Sequence, residues 1–197
     1  MERLYDIGAK RNPQWETRYE KELLRQFTDY GRGSSQYQDA RGKTFGAGYE
    51  LYIIAFFIGL YANQTKPLVE DASKRKGFGQ PIQYWSNLEN RNGRASYGKI
   101  REYIFAALVA RTNIDYLALD KGEIEPSKVV DTLIDKMEEY ANYGFAHMHE
   151  QLENNPNCYF KDSAFLNEIL PFATKGGVSL NADEEARAWI DLDSFPK

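Results

Sequence analysis

The twelve residues LYIIAFFIGLYA, from Leu51 to Ala62, form the longest apolar run of the chain and, wound as a helix, are apolar on nearly every side. Such a helix is stable only when protein or lipid surrounds it. The run falls about two fifths short of the roughly 20 residues that span a bilayer, so the expected setting is a protein core. This predicts an all-α fold built round a central apolar helix that closes before Lys66-Pro67, with no membrane partner. The chain's 197 residues suffice for one well-filled core, and 42% apolar and 27% charged residues are ordinary for a globular protein. The first residues, MERLYDIGAKRNPQW, contain no apolar run and are not expected to act as a signal peptide. Cys158 is the single cysteine, which excludes a disulfide framework and points to a cytoplasmic protein.

Helical periodicity extends over most of the remaining chain. Asn12-Pro13 reads as a cap and first turn, and Trp15, Tyr19, Leu23 and Phe27 follow at four-residue spacing as one buried stripe. Residues 31–48 contain five glycines and read as a long loop. A second apolar helix is expected through Ile100, Ile104, Leu108 and Val109, with Gly122 beyond its end. Pro126 should start the longest helix, with Gly144 as a kink. SAFLNEILPFA should be a short helix ended by Pro171, and NADEEARAWIDL a last short one capped by Asn181 or Asp183. No segment alternates strictly with period two, so little or no sheet is expected. The organisation predicted is a single helical domain over residues 1–175, with its core at 49–150, and a C-terminal appendage over 176–197.

Charge is distributed unevenly along the chain. Residues 41–101 carry ten Lys or Arg against four Asp or Glu, whereas residues 102–197 carry eight against eighteen. An asymmetry of this kind suggests a polyanionic partner for the first segment and a docking role for the second, unless folding mixes the two. In the basic segment Lys74, Arg75, Lys76, Arg91, Arg94, Lys99 and Arg101 are candidates to track phosphates. Trp85, with Phe78 and Tyr84, is a candidate to stack on exposed bases.

No catalytic constellation names a reaction. The only histidines, His147 and His149, lie two residues apart, about 200° round a helix, and cannot share a metal from one face. Neither a metal nor a cofactor is expected. Glu138-Glu139 and Glu184-Glu185 are adjacent pairs whose side chains diverge on a helix, so a hydrolase such as a glycoside hydrolase has no supporting acid pair. The chain reads as a non-enzyme.

One resemblance bears on function. In YELYIIAFFIGLYANQTKPL, an apolar helix ending at Gly59-Leu60 is followed by a short basic segment and Pro67-Leu68. Further on, EEYANYGFAHM places Tyr140, Ala141, Asn142 and Gly144 at a helix ending. With the apolar helix between them, these pieces resemble small accessory proteins of DNA phosphorothioation (Dnd-type) restriction loci over residues 49–150. The resemblance implies a non-catalytic component of a DNA-modification or phage-defence system. Its candidate partners are DNA, through the basic middle segment, and a protein of the same locus. The alternative is a protein-interaction or oligomerisation subunit whose acidic C-terminal half docks a larger enzyme or a second copy of itself. In either case Asn142 and Gly144 are expected to shape a helix bend or end, where a left-handed residue is cheap for Asn and Gly.

Overall fold

The computed structural model describes residues 4–28, 30, 44–86, 96–161 and 163–175, with 173–175 as backbone alone. The long loop is therefore described only from residue 44. Arg91, Arg94 and the predicted C-terminal appendage with its short helix lie outside the described residues.

The described fold is mainly helical, with one two-stranded sheet. In chain order it contains α1 (Leu4–Ala9), β1 (Gln14–Glu16), α2 (Arg25–Phe27), α3 (Gly48–Ala62), β2 (Arg75–Gly77), α4 (Lys99–Arg111), α5 (Tyr116–Asp120), α6 (Pro126–Asn154) and α7 (Ala164–Lys175). No helix is long and apolar enough to cross a membrane among the described residues.

α3 is the apolar run with one turn added before it. Leu51, Tyr52, Ala55, Phe56 and Ile58 are fully enclosed, whereas Ile54 and Phe57 are half-buried and Tyr61 is exposed. Asn63, at a left-handed φ of 52°, closes the helix by donating its N–H to the carbonyls of Gly59 and Leu60. The helix thus stops three residues before Lys66. α6 runs 29 residues from Pro126, about 43 Å at 1.5 Å per residue.

α3 and α6 pack antiparallel with their backbones in contact. A Cβ on Gly59 would stand 2.2 Å from the Tyr140 carbonyl oxygen, and one on Gly144 would stand 1.9 Å from that of Ala55. Two glycines, one on each helix, therefore set the helix separation. This corrects the expectation for the Tyr140–Gly144 segment, because α6 continues for ten residues past Gly144 and neither Asn142 nor Gly144 has a positive φ. Gly144 is needed for close approach, and Asn142 for its side chain. Asn142, 2% exposed, reaches from its Nδ2 to the carboxylate of Glu16 at 2.9 Å, the carbonyl of Lys66 at 3.2 Å and that of Pro67 at 2.9 Å. The Lys66 N–H in turn donates to the Glu139 carbonyl at 3.0 Å. Asn142 and Glu139 together hold the segment after α3 against α6.

The Trp15–Phe27 stripe is buried at all four positions, but on a different backbone from the regular helix expected. Gln14–Glu16 is a strand, antiparallel to β2 with Trp15 opposite Lys76. A 3-10 turn (Thr17–Tyr19), a π-helix (Glu20–Leu24) and the single α-helical turn of α2 follow it. The strand depends on a partner some 60 residues away, which local spacing does not reveal. The adjacent Leu23 and Leu24 are both fully enclosed through the π-helical segment. Pro171 also departs from expectation, since it lies inside α7. Its missing N–H removes one hydrogen bond from the helix without ending it.

Candidate functional site

The basic segment is largely occupied by its own fold. Lys74 lies 3.5 Å from Asp71, and Lys76 lies 2.9 Å from Glu20, which also holds Arg25. Arg75 donates from its Nε to the Val69 carbonyl. Arg101 donates to the carbonyls of Gly98, at 3.2 Å, and Gln83. Lys99 is exposed at the start of α4. The carboxylates that meet Lys74 and Lys76 keep these two heads from forming an uncompensated positive strip, although both remain solvent-facing.

Trp85 is not available to a nucleic-acid base. It is 0% exposed, lies parallel to Tyr49 at 5.5 Å and donates its indole N–H to the Gln80 carbonyl at 3.1 Å. Phe78 is half-buried and packs on Trp15, Tyr52 and Trp85. Of the three aromatic residues expected to stack, only Tyr84 is exposed. Aromatic residues in a glycine-rich stretch satisfy either role from sequence, and here a shared aromatic cluster encloses two of them.

The two histidines tie α6 to different elements. His147 Nε2 lies 2.7 Å from Glu168 of α7, and Tyr159 donates its hydroxyl to the same carboxylate at 3.1 Å. The hydrogen bond to Glu168 raises the His147 pKa above its ordinary value against the opposing effect of burial. His149 Nε2 instead lies 2.7 Å from Glu22, and Nδ1 lies 3.6 Å from Glu153. Among the described residues no cluster of three or more His, Cys, Asp or Glu side chains is placed to hold a metal ion.

The adjacent acids Glu138 and Glu139 also diverge. Glu139 pairs with Lys136, whereas Glu138 accepts the Gln14 N–H at 2.8 Å and so fastens β1 to α6. Burial pushes the Glu138 carboxyl up to about 7 against the opposing hydrogen bond from Gln14, with the charge of Asp135 adding to the rise and Arg75 opposing it. A carboxyl perturbed in this way marks either a catalytic acid or a structural clasp. The bond to Gln14 supports the clasp.

This arrangement makes stability depend on pH. Because the folded chain holds the Glu138 proton more tightly than the unfolded chain, its contribution is complete below about 4.5 and is lost as pH rises to about 7. His147, also raised, adds a loss in the same direction as pH rises through its folded pKa. Urea unfolding of the wild type between pH 4.5 and 8 is therefore expected to show a decline. Glu138→Gln should remove about 1–3 kcal/mol of that decline. An equally steep profile in the variant would rule Glu138 out as its source.

Two surface features were not anticipated from sequence. The first is a cavity of about 410 Å³ at the edge of α3 and α7, lined by Phe45, Ile54, Tyr159, Phe160, Phe165 and Leu166, with Thr44, Lys161 and Ser163 among its polar residues. Phe160 and Leu166 are 47% and 54% exposed. The sequence carried no clear signal for it, because Phe165, Leu166, Ile169 and Leu170 fall within about 140° of α7 and read as one core-facing stripe. The second is α5, whose neighbours Tyr116 and Leu117 are 48% and 65% exposed. Around them Asp115, Asp120, Glu123 and Glu125 are exposed, with Lys121 as the one basic residue between 115 and 125. Asp115 caps the short helix by accepting the Ala118 N–H at 2.9 Å.

No protein-family model, curated protein or solved structure matches the chain.

Proposed function

We propose that the chain is a non-catalytic docking protein, the accessory subunit of a larger assembly, and that it offers its α5 turn to a basic partner protein. The observation that carries this reading is the exposed Tyr116–Leu117 pair in a stretch, residues 115–125, whose four carboxylates are also exposed. An apolar centre with a charged rim is the usual anatomy of a protein–protein contact, and a tyrosine at its centre is a frequent energetic anchor. Four acids against one lysine over 115–125 select a partner surface rich in Lys or Arg. The resemblance to accessory proteins of phosphorothioation loci agrees with such a role and suggests a protein of the same locus as the partner.

Direct DNA contact through residues 66–101 is a second reading, supported by the solvent-facing heads of Lys74, Lys76 and Lys99. One set of variants separates the two. A photo-crosslinking residue at position 117 should capture a partner of defined size among the proteins encoded beside this one, and the Asp120, Glu123 and Glu125 to Lys variant should lose the capture. Reversal of Lys74, Lys76 and Lys99 to Glu should leave that capture intact. If DNA is bound, the same reversal should weaken binding to all sequences and flatten the slope of log affinity against log salt by about 0.9 for each phosphate no longer neutralised. Capture that survives charge reversal around α5, or that never occurs, would overturn the docking reading. Absence of any DNA affinity at low salt would remove the second.

A further inference from the structure

The cavity beside α7 has the construction of a small-molecule site. Its volume of about 410 Å³ lies within the range of ligand pockets, and its lining mixes aromatic rings with polar groups. The aromatic part is held rigidly: Tyr159 and Phe165 stack at 4.6 Å, Phe45 meets Phe165 edge-on at 4.9 Å, and Phe27 packs against Tyr159, Phe160 and Phe165. Ser163 lies in the lining at a φ of 62°, a left-handed conformation that is uncommon for a residue other than glycine. Outliers of this kind concentrate at ligand sites, where the surrounding structure holds them.

Charge decides what such a site accepts. Lys161 is exposed and is the one charged residue among the described lining residues. The nearby Glu168 carboxylate, which bonds the lining residue Tyr159, is turned to His147 Nε2 at 2.7 Å. An apolar ligand tail would lie against the rings, and an anionic head would meet the Lys161 ammonium and the hydroxyls of Thr44 and Ser163.

We infer that this cavity binds a small amphipathic anion, a short acyl or aromatic carboxylate, with Lys161 as the selector for its charge. This site is independent of the α5 docking surface, so either can fail alone.

Three probes of equal length, octanoate, octan-1-ol and octylamine, test the assignment by calorimetric titration of the full chain. Octanoate should bind at least tenfold more tightly than the alcohol, and the amine most weakly. Lys161→Ala should abolish the preference for octanoate over the alcohol while leaving alcohol binding within twofold. Leu166→Asp, at an exposed position that does not threaten the core, should weaken octanoate at least tenfold. Equal binding of the three probes, binding of none, or an octanoate preference that survives Lys161→Ala would each overturn the assignment.

Discussion

Gly144→Ala should destabilise the protein by about 3 kcal/mol or more, although the same change in an exposed helix interior stabilises it by about 1 kcal/mol. The two effects differ in sign, which makes the measurement decisive. The added methyl would meet the Ala55 carbonyl oxygen at 1.9 Å, and that atom belongs to another helix's backbone and cannot swing aside. Either α3 and α6 separate along their shared length or the methyl distorts one of them, and overpacking typically costs about 1–3 kcal/mol, with more where backbone must move. Gly59→Ala should behave likewise, since its methyl would meet the Tyr140 carbonyl at 2.2 Å. A urea midpoint that rises in either variant would show that the helices do not approach as described.

The second large effect separates neighbours that look equivalent in sequence. Phe56 is 0% exposed and packs edge-on against Phe57 at 5.3 Å and Tyr140 at 6.1 Å. Truncating it to alanine removes a complete ring from an enclosed site and should cost about 3–5 kcal/mol. Phe57 is half-buried and stacks on the exposed Tyr61 at 6.0 Å, so Phe57→Ala should cost less than about 2 kcal/mol. Urea unfolding of both variants reads the difference. Equal losses would mean that α3 is covered on its Phe57 side as fully as on its Phe56 side.

These cases indicate how far the sequence was legible. An apolar run long enough for a helix and too short for a membrane implies burial, and α3 is buried along most of its length. Which of two adjacent phenylalanines lies deeper depends on the azimuth of α6, and local sequence does not encode that. The stripe from Trp15 to Phe27 was readable as buried because burial follows from apolar character whatever the backbone does. Its strand and π-helical segment were not readable, since β1 exists by pairing with residues 75–77. Asn142 and Gly144 invite a kink because both are weak helix formers. Their actual use, an enclosed amide and a close approach, is set by α3 and by Glu16, far away in the chain. The charge gradient was legible only as a count for the same reason, since Glu20 reaches Lys76 across 56 positions and offsets a charge that the linear sequence leaves uncompensated.

The α3–α6 contact also has a consequence for synthesis. Ala55 and Gly144 touch across 89 positions of chain, and among the described residues no other element packs on α3 as extensively as α6. During translation α3 is complete at residue 62, but the last turn of α6 emerges only after residue 154. At about 5–20 residues per second, that leaves an apolar helix exposed at the ribosome for roughly 5–20 seconds. For that interval the nascent chain presents the kind of surface that chaperones hold.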